Sequence, residues 1–155
     1  MTHISFYIVD AAYPNGILGF ACRLAEKFHQ GGKNTCMLTT DASMAEQLDK
    51  QLWELEDAAF VPHQLWHEDV DAVSDNTVLL GWEEPPAQQH EVLINLQTEV
   101  PYCFSRFDRL IEIVDAGQPK PGRNRYQFYR DRGYPLETHK ISASTTNARQ
   151  RLKAL

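Results

Sequence analysis

Ile4-Ser5-Phe6-Tyr7-Ile8-Val9 sets the class of fold. The run is apolar at almost every position, which predicts a strand buried on both faces, as in the interior of a parallel sheet. A loop, Asp10 to Asn15, leads from it into a stretch of helical period. There Ile17, Phe20, Ala21, Leu24, Ala25 and Phe28 share one face from about Gly16 to Gln30, and Gly31-Gly32 ends the helix. The alternation then repeats. Thr35 to Thr39 is a second strand, and Asp41 is a good N-cap for a helix running to about Leu55. That helix carries a core stripe of Met44, Leu48, Leu52 and Leu55, with Trp53 roughly opposite it. Phe60 to Trp66 is apolar and aromatic but holds Pro62, so it reads as an extended segment or edge strand. An acidic loop over 67–76 follows, then short strands at Val78–Leu80 and Val92–Leu96, a short helix from Pro101 to about Phe107, and a buried strand at Leu110–Val114. Strands alternating with helices predict a three-layer α/β domain with a mostly parallel central sheet. Residues 1–140 form this domain, and 141–155 read as a polar tail expected to fray.

At 155 residues, 43% hydrophobic and 23% charged, the composition is that of a globular domain with a real core. The apolar runs are too short to span a bilayer, and Met1-Thr2-His3-Ile4 lacks a basic n-region, so a cytoplasmic protein is expected. The net charge of -6 conceals an asymmetry. Residues 1–105 hold 4 Lys/Arg against 16 Asp/Glu, whereas residues 106–155 hold 11 against 5. A basic third on an acidic body predicts an anionic partner for that third and argues against wrapping of nucleic acid by the whole surface. The three cysteines, Cys22, Cys36 and Cys103, are scattered among apolar residues and read as reduced core positions.

The first strand-to-helix loop, Asp10-Ala11-Ala12-Tyr13-Pro14-Asn15-Gly16, has no glycine-rich phosphate motif, and Asp10 would repel a phosphate. No dinucleotide-binding loop and no cofactor are therefore expected. His63 and His67 have the i, i+4 spacing of metal ligands, but Pro62 breaks the helix such a pair needs. They read as surface or interface histidines, and no metal site is expected. No nucleophile elbow or other catalytic constellation is present. The residues that remain form two surfaces. One centres on Trp53 and Phe60 to Trp66. The other is the stretch Pro121 to Tyr134, dense in arginine and aromatic rings, opened by proline and closed by glycine as a helix is. On a helical period Arg123, Tyr126, Gln127 and Arg130 share one face, Phe128 and Tyr129 anchor the other, and Arg125 and Arg132 fall between. Two surfaces without catalytic chemistry describe an adaptor. The competing expectation is a small α/β nucleotide- or flavin-binding enzyme, which a bound cofactor would reveal.

The combination of Phe6-Tyr7-Ile8-Val9-Asp10, Leu52-Trp53, Phe60-Val61-Pro62-His63, Val92 to Leu96, Glu112-Ile113-Val114-Asp115 and Arg123 through Gly133-Tyr134 resembles the chi subunit family of bacterial DNA polymerase III. The resemblance covers the chain to about Ile141. It implies a Rossmann-like fold without a cofactor, in a non-catalytic accessory of the clamp-loader assembly. It implies two partners, the psi subunit and the acidic C-terminal tail of single-stranded DNA-binding protein (SSB). In some members it also implies a DNA-repair helicase at the psi surface. Contact with nucleic acid would then be mainly indirect, and no membrane is involved. By the same resemblance Arg123 and Tyr126 occupy the tail-binding positions, and Arg130 joins them from its shared helical face. Ala116 to Lys120 is shorter than in members where a lysine one turn before the arginine contributes, and Lys120 is the candidate substitute. Trp53 and Phe60 match psi-binding positions, with Val61, Pro62, His63 and Leu65 as neighbours.

Overall fold

The computed structural model describes residues 1–55, 61–66 and 77–143. Its centre is a seven-stranded sheet. In chain order the strands are β1 (His3–Val9), β2 (Thr35–Leu38), β3 (His63–Leu65), β4 (Val78–Gly81), β5 (Val92–Asn95), β6 (Arg109–Asp115) and β7 (Leu136–Ile141). They lie in the order β3-β4-β2-β5-β6-β1-β7, and every pairing is parallel. Helices α1 (Gly16–Gln30) and α2 (Ala42–Trp53) cover one face, and α3 (Lys120–Asp131) covers the other. The Rossmann-like three-layer expectation is met.

The alternation of side chains sorts the core into two layers. Tyr7, Val9, Ile111, Ile113 and Ile141 pack under α1, whereas Ile4, Phe6, Leu110 and Val114 pack under α3 and meet its Tyr129. Local chemistry fixes the helix ends. Asp41 accepts a hydrogen bond from Met44 N at 2.9 Å and caps α2. Pro121 lies in the first turn of α3, and Gly133 ends it at φ 78°, a conformation that costs a residue with a Cβ. Burial pushes the Cys22 and Cys36 thiols up to about 12, and that of Cys103 upward, so these thiols stay protonated at neutral pH.

The structure corrects three expectations. The segment from Pro101 to Phe107 holds only a single 3-10 turn at Phe104–Arg106, tied down by Phe104 against the α3 aromatics. Strand β7 occupies residues that carry no strand signal, because its alternation is polar apart from its ends. Arg125, expected at the flank of α3, is 4% exposed and lies beneath the helix, while Phe128 is only half-buried.

Candidate functional site

Glu112 is the residue on which α3 is seated. It interrupts the apolar run of β6, points to the α3 face and is 0% exposed. A carboxylate there requires donors, and three side chains supply them. Arg125 Nε donates to Glu112 Oε1 at 2.9 Å, Asn95 Nδ2 donates to the same oxygen at 2.9 Å, and the Tyr129 hydroxyl donates to Oε2 at 2.5 Å. Arg125 Nη1 also donates to Thr98 O at 3.0 Å. Burial is the largest influence on Glu112 and pushes its carboxyl above the ordinary range; Arg125, then Tyr129 and Asn95, pull against it. The Tyr129 hydroxyl is pushed up by burial and by the neighbouring Glu112 charge.

Arg125 and Tyr129 are one turn apart, so binding both to one carboxylate fixes the roll of α3 about its axis. The flank holding Tyr126, Arg123 and Arg130 is thereby turned toward β1 and β7. Tyr126 is half-buried, its ring edge-on to Phe6 at 5.2 Å between centroids. Arg123 and Arg130 are exposed beside it, with Arg130 3.7 Å from Asp131. Among the described residues Arg123 has no ion-pair partner. The structure therefore brings Arg123, Tyr126 and Arg130 onto one flank. Lys120 is exposed too, but lies about 120° around the helix from Tyr126. It borders a groove of about 460 Å³ on the opposite flank, with Thr98, Val100, Asn124 and Phe128. Arg132 covers the Phe128 ring on that side, 3.5 Å above its centroid.

The second surface lies at the far edge of the sheet. Trp53, at the end of α2, is 60% exposed. Pro62 and Leu65 are half-buried around β3, which among the described residues is an edge strand paired with β4 alone. Val61 is buried in the core. His63, expected as a surface or interface histidine, does not present its side chain to solvent: it is 0% exposed. Its Nδ1 lies 2.6 Å from Val61 O, its Nε2 lies 3.1 Å from Asp49 Oδ1, and Trp53 meets its ring edge-on at 5.0 Å. His63 thus supports the tryptophan from behind. Phe60 and His67 lie outside the described residues.

Sequence reading missed Glu112, Asn95 and Arg125 as a unit. The signal was a lone carboxylate in an apolar strand, and an arginine four residues before a buried tyrosine. In the first strand-to-helix loop the backbone donors turn inward: Ala12 N donates to Asp10 Oδ1 at 2.8 Å and Gly16 N to Tyr13 O at 2.7 Å. No cluster among the described residues has the donors to hold a metal ion, and none of the described helices is long and apolar enough to cross a membrane.

The chain is thus an all-parallel three-layer α/β domain, with exposed arginines and a half-buried tyrosine on one flank of its last helix and an exposed tryptophan near the opposite sheet edge. The chain belongs to the family described as DNA polymerase III chi subunit, HolC, whose model matches residues 1–137. It is 37% identical over 143 residues to the DNA polymerase III subunit chi of Pseudomonas aeruginosa, covering 91% of this chain and 98% of that one. The chi subunits of Haemophilus influenzae and Escherichia coli are 28% and 25% identical, covering 88% and 89% of this chain and 95% and 97% of theirs. Among solved structures, T4 UvsW superposes with a TM-score of 0.69 at 9% identity, over 92% of this chain and 42% of that one, a likeness of fold alone.

Proposed function

We propose that the chain is a non-catalytic bridge in the replicase. In this reading the Arg123–Tyr126–Arg130 flank of α3 takes the acidic C-terminal tail of SSB, and the Trp53 surface pairs with the psi subunit of the clamp loader. The observation that carries the reading is the pairing of an exposed Arg123 with a half-buried Tyr126 on a helix whose roll is fixed from below. A guanidinium offers a fork of donors to a carboxylate, and a partly covered ring offers an apolar seat beside it. An acidic peptide ending in an aromatic residue and a free carboxylate needs both. The bridge meets DNA through SSB, which places it with the chromosome in the cytoplasm.

Titration of a labelled SSB tail peptide against the full chain tests this. Arg123→Ala is expected to weaken binding by about tenfold or more, the scale of a charge-assisted hydrogen bond. Raised salt weakens the unaltered complex, because exposed charges are screened. Binding indifferent to both changes would remove the tail from the proposal. In the companion experiment, Trp53→Ala is expected to lose capture of purified psi by at least tenfold, as for an aromatic anchor, while keeping the tail. Unchanged capture of psi by that variant would move the psi contact off α2.

A further inference from the structure

We infer that the groove between α3 and the loop after β5 is a binding site for a small phosphate ester bearing hydroxyls, the chemical class of a mononucleotide or sugar phosphate. This site is separate from the flank proposed to take the tail and stands without that reading. The groove, about 460 Å³, lies at the carboxyl end of the sheet, where open parallel α/β folds place small ligands, and it has the volume of such a site. Thr98 to Val100 form one wall. Lys120, Asn124 and Phe128 of α3 form the other, and the buried Arg125 lines the groove between them.

The donors along this groove are uncommitted. Arg125 uses Nε on Glu112 and Nη1 on Thr98 O, while its Nη2 has no hydrogen bond among the described residues and is still reached by solvent. For a side chain only 4% exposed, the groove it lines is where that N–H finds an acceptor. Lys120 and Asn124 stand one turn apart on the wall, both exposed and both without a side-chain partner among the described residues. Helix α3 begins at Lys120; its N-cap, Pro119, gives no side-chain cap, and its first turn holds no acid. Glu112 answers the charge of Arg125, so Lys120 and the helix end supply the positive charge. These donors come from the floor, the wall and the helix end. A tetrahedral phosphate presents three oxygens in three directions and meets them together, whereas a planar carboxylate presents two in one plane. Two turns along from Lys120, Phe128 gives an apolar stretch with Val100, which suits the carbon part of an ester. Glu99, the acidic side chain on the groove, can only accept hydrogen bonds, so it suits hydroxyls and repels a phosphate set beside it. Both walls are fixed through Glu112. Arg125 ties it to Thr98 O, and Asn95 Nδ2, bonded to the same carboxylate, donates to Glu99 O at 3.2 Å. The groove is therefore formed before a ligand arrives.

NMR of the full chain tests this, following backbone amides during titration with adenosine monophosphate, a ribose phosphate, inorganic phosphate and adenosine. Both esters are expected to shift the amides of Thr98, Glu99, Val100, Lys120 and Asn124 saturably, with Kd on the order of 1 mM or below, and inorganic phosphate to bind more weakly. Adenosine is expected to leave these amides unmoved. Lys120→Ala and Asn124→Ala, each checked for an unchanged thermal melt, are expected to weaken ester binding by about fivefold and about threefold. Tighter binding of adenosine monophosphate than of the ribose phosphate assigns the groove to a mononucleotide, and the reverse to a sugar phosphate. No saturable shift with either ester, an equal response to adenosine, or ester binding unmoved by Lys120→Ala overturns the inference. Displacement of the ester by the SSB tail peptide overturns it too, because the ester would then sit on the β7 flank, and leaves the tail reading standing.

Discussion

Arg125→Ala is expected to cost about 3–5 kcal/mol of folding stability, read from urea denaturation, although it removes a residue type usually found on surfaces. The loss does not come mainly from the ion pair itself. It comes from leaving Glu112, 0% exposed, as a buried charge with its cation gone. The dependence on pH separates this cause from lost packing. Glu112 is already raised by burial in the unaltered protein, and Arg125 is the first of the groups that hold it down. Without Arg125 the folded-state value rises further. A group raised on folding contributes stability that is full below its unfolded value and lost as pH rises through the folded one. The deficit of Arg125→Ala should therefore be smallest near and below the ordinary carboxyl value of 4.5, and grow only as pH rises through the folded-state value of the unaltered protein, which burial already holds above it. A deficit that is flat across this range would show that packing, not charge, is at stake. Combining Arg125→Met with Glu112→Leu should recover part of the loss, because it removes both charges together and keeps the volume filled.

Gly122→Val is the second large effect. Gly122 stands in the first half of α3, where glycine costs a helix roughly 1 kcal/mol against alanine. It is there because the helix backbone rests on β6: a Cβ at this position would lie 2.6 and 2.7 Å from the two methyl carbons of Val114. Both partners are held by regular structure, so α3 must lift. Overpacking of this kind costs about 1–3 kcal/mol, and the larger valine belongs at the upper end. Lifting the first turn also moves Arg123 away from β7, so tail-peptide binding should fall at least as far as in Arg123→Ala. Valine at 122 with native stability and native binding would mean that the contact with Val114 does not set the height of the helix. Gly133, which ends α3 at φ 78° with nothing near its Cβ direction, should behave differently, since only backbone strain resists substitution there.

Much of the fold was legible because it is written in local periods. The apolar run Ile4–Val9 lies in a strand paired on both sides, Asp41 caps α2, and Pro62 precedes a short edge strand. Trp53 was read as outward from its place opposite Leu48 and Leu52, and the structure exposes it while burying those leucines. Strand β7 was not legible. Only Leu136 and Ile141 in Leu136-Glu137-Thr138-His139-Lys140-Ile141 are apolar, as suits a strand at a sheet edge, and it is a strand because β1 offers it a partner. Helix α3 was placed well along the chain but misjudged in roll. Its period sets the angles between Arg123, Arg125 and Tyr126, yet does not say which of them lies underneath.

The amino-acid sequence by itself therefore determined the layers, the existence of α3, and the family through which Arg123 and Tyr126 could be singled out. Tertiary structure alone decided that Arg125 is interior and that His63 is enclosed behind Trp53. The physical reason is range. Helix and strand periods arise from bonds and rotamers within a few residues, whereas the roll of α3 depends on a carboxylate 13 positions away and strand β7 on pairing with the first strand of the chain.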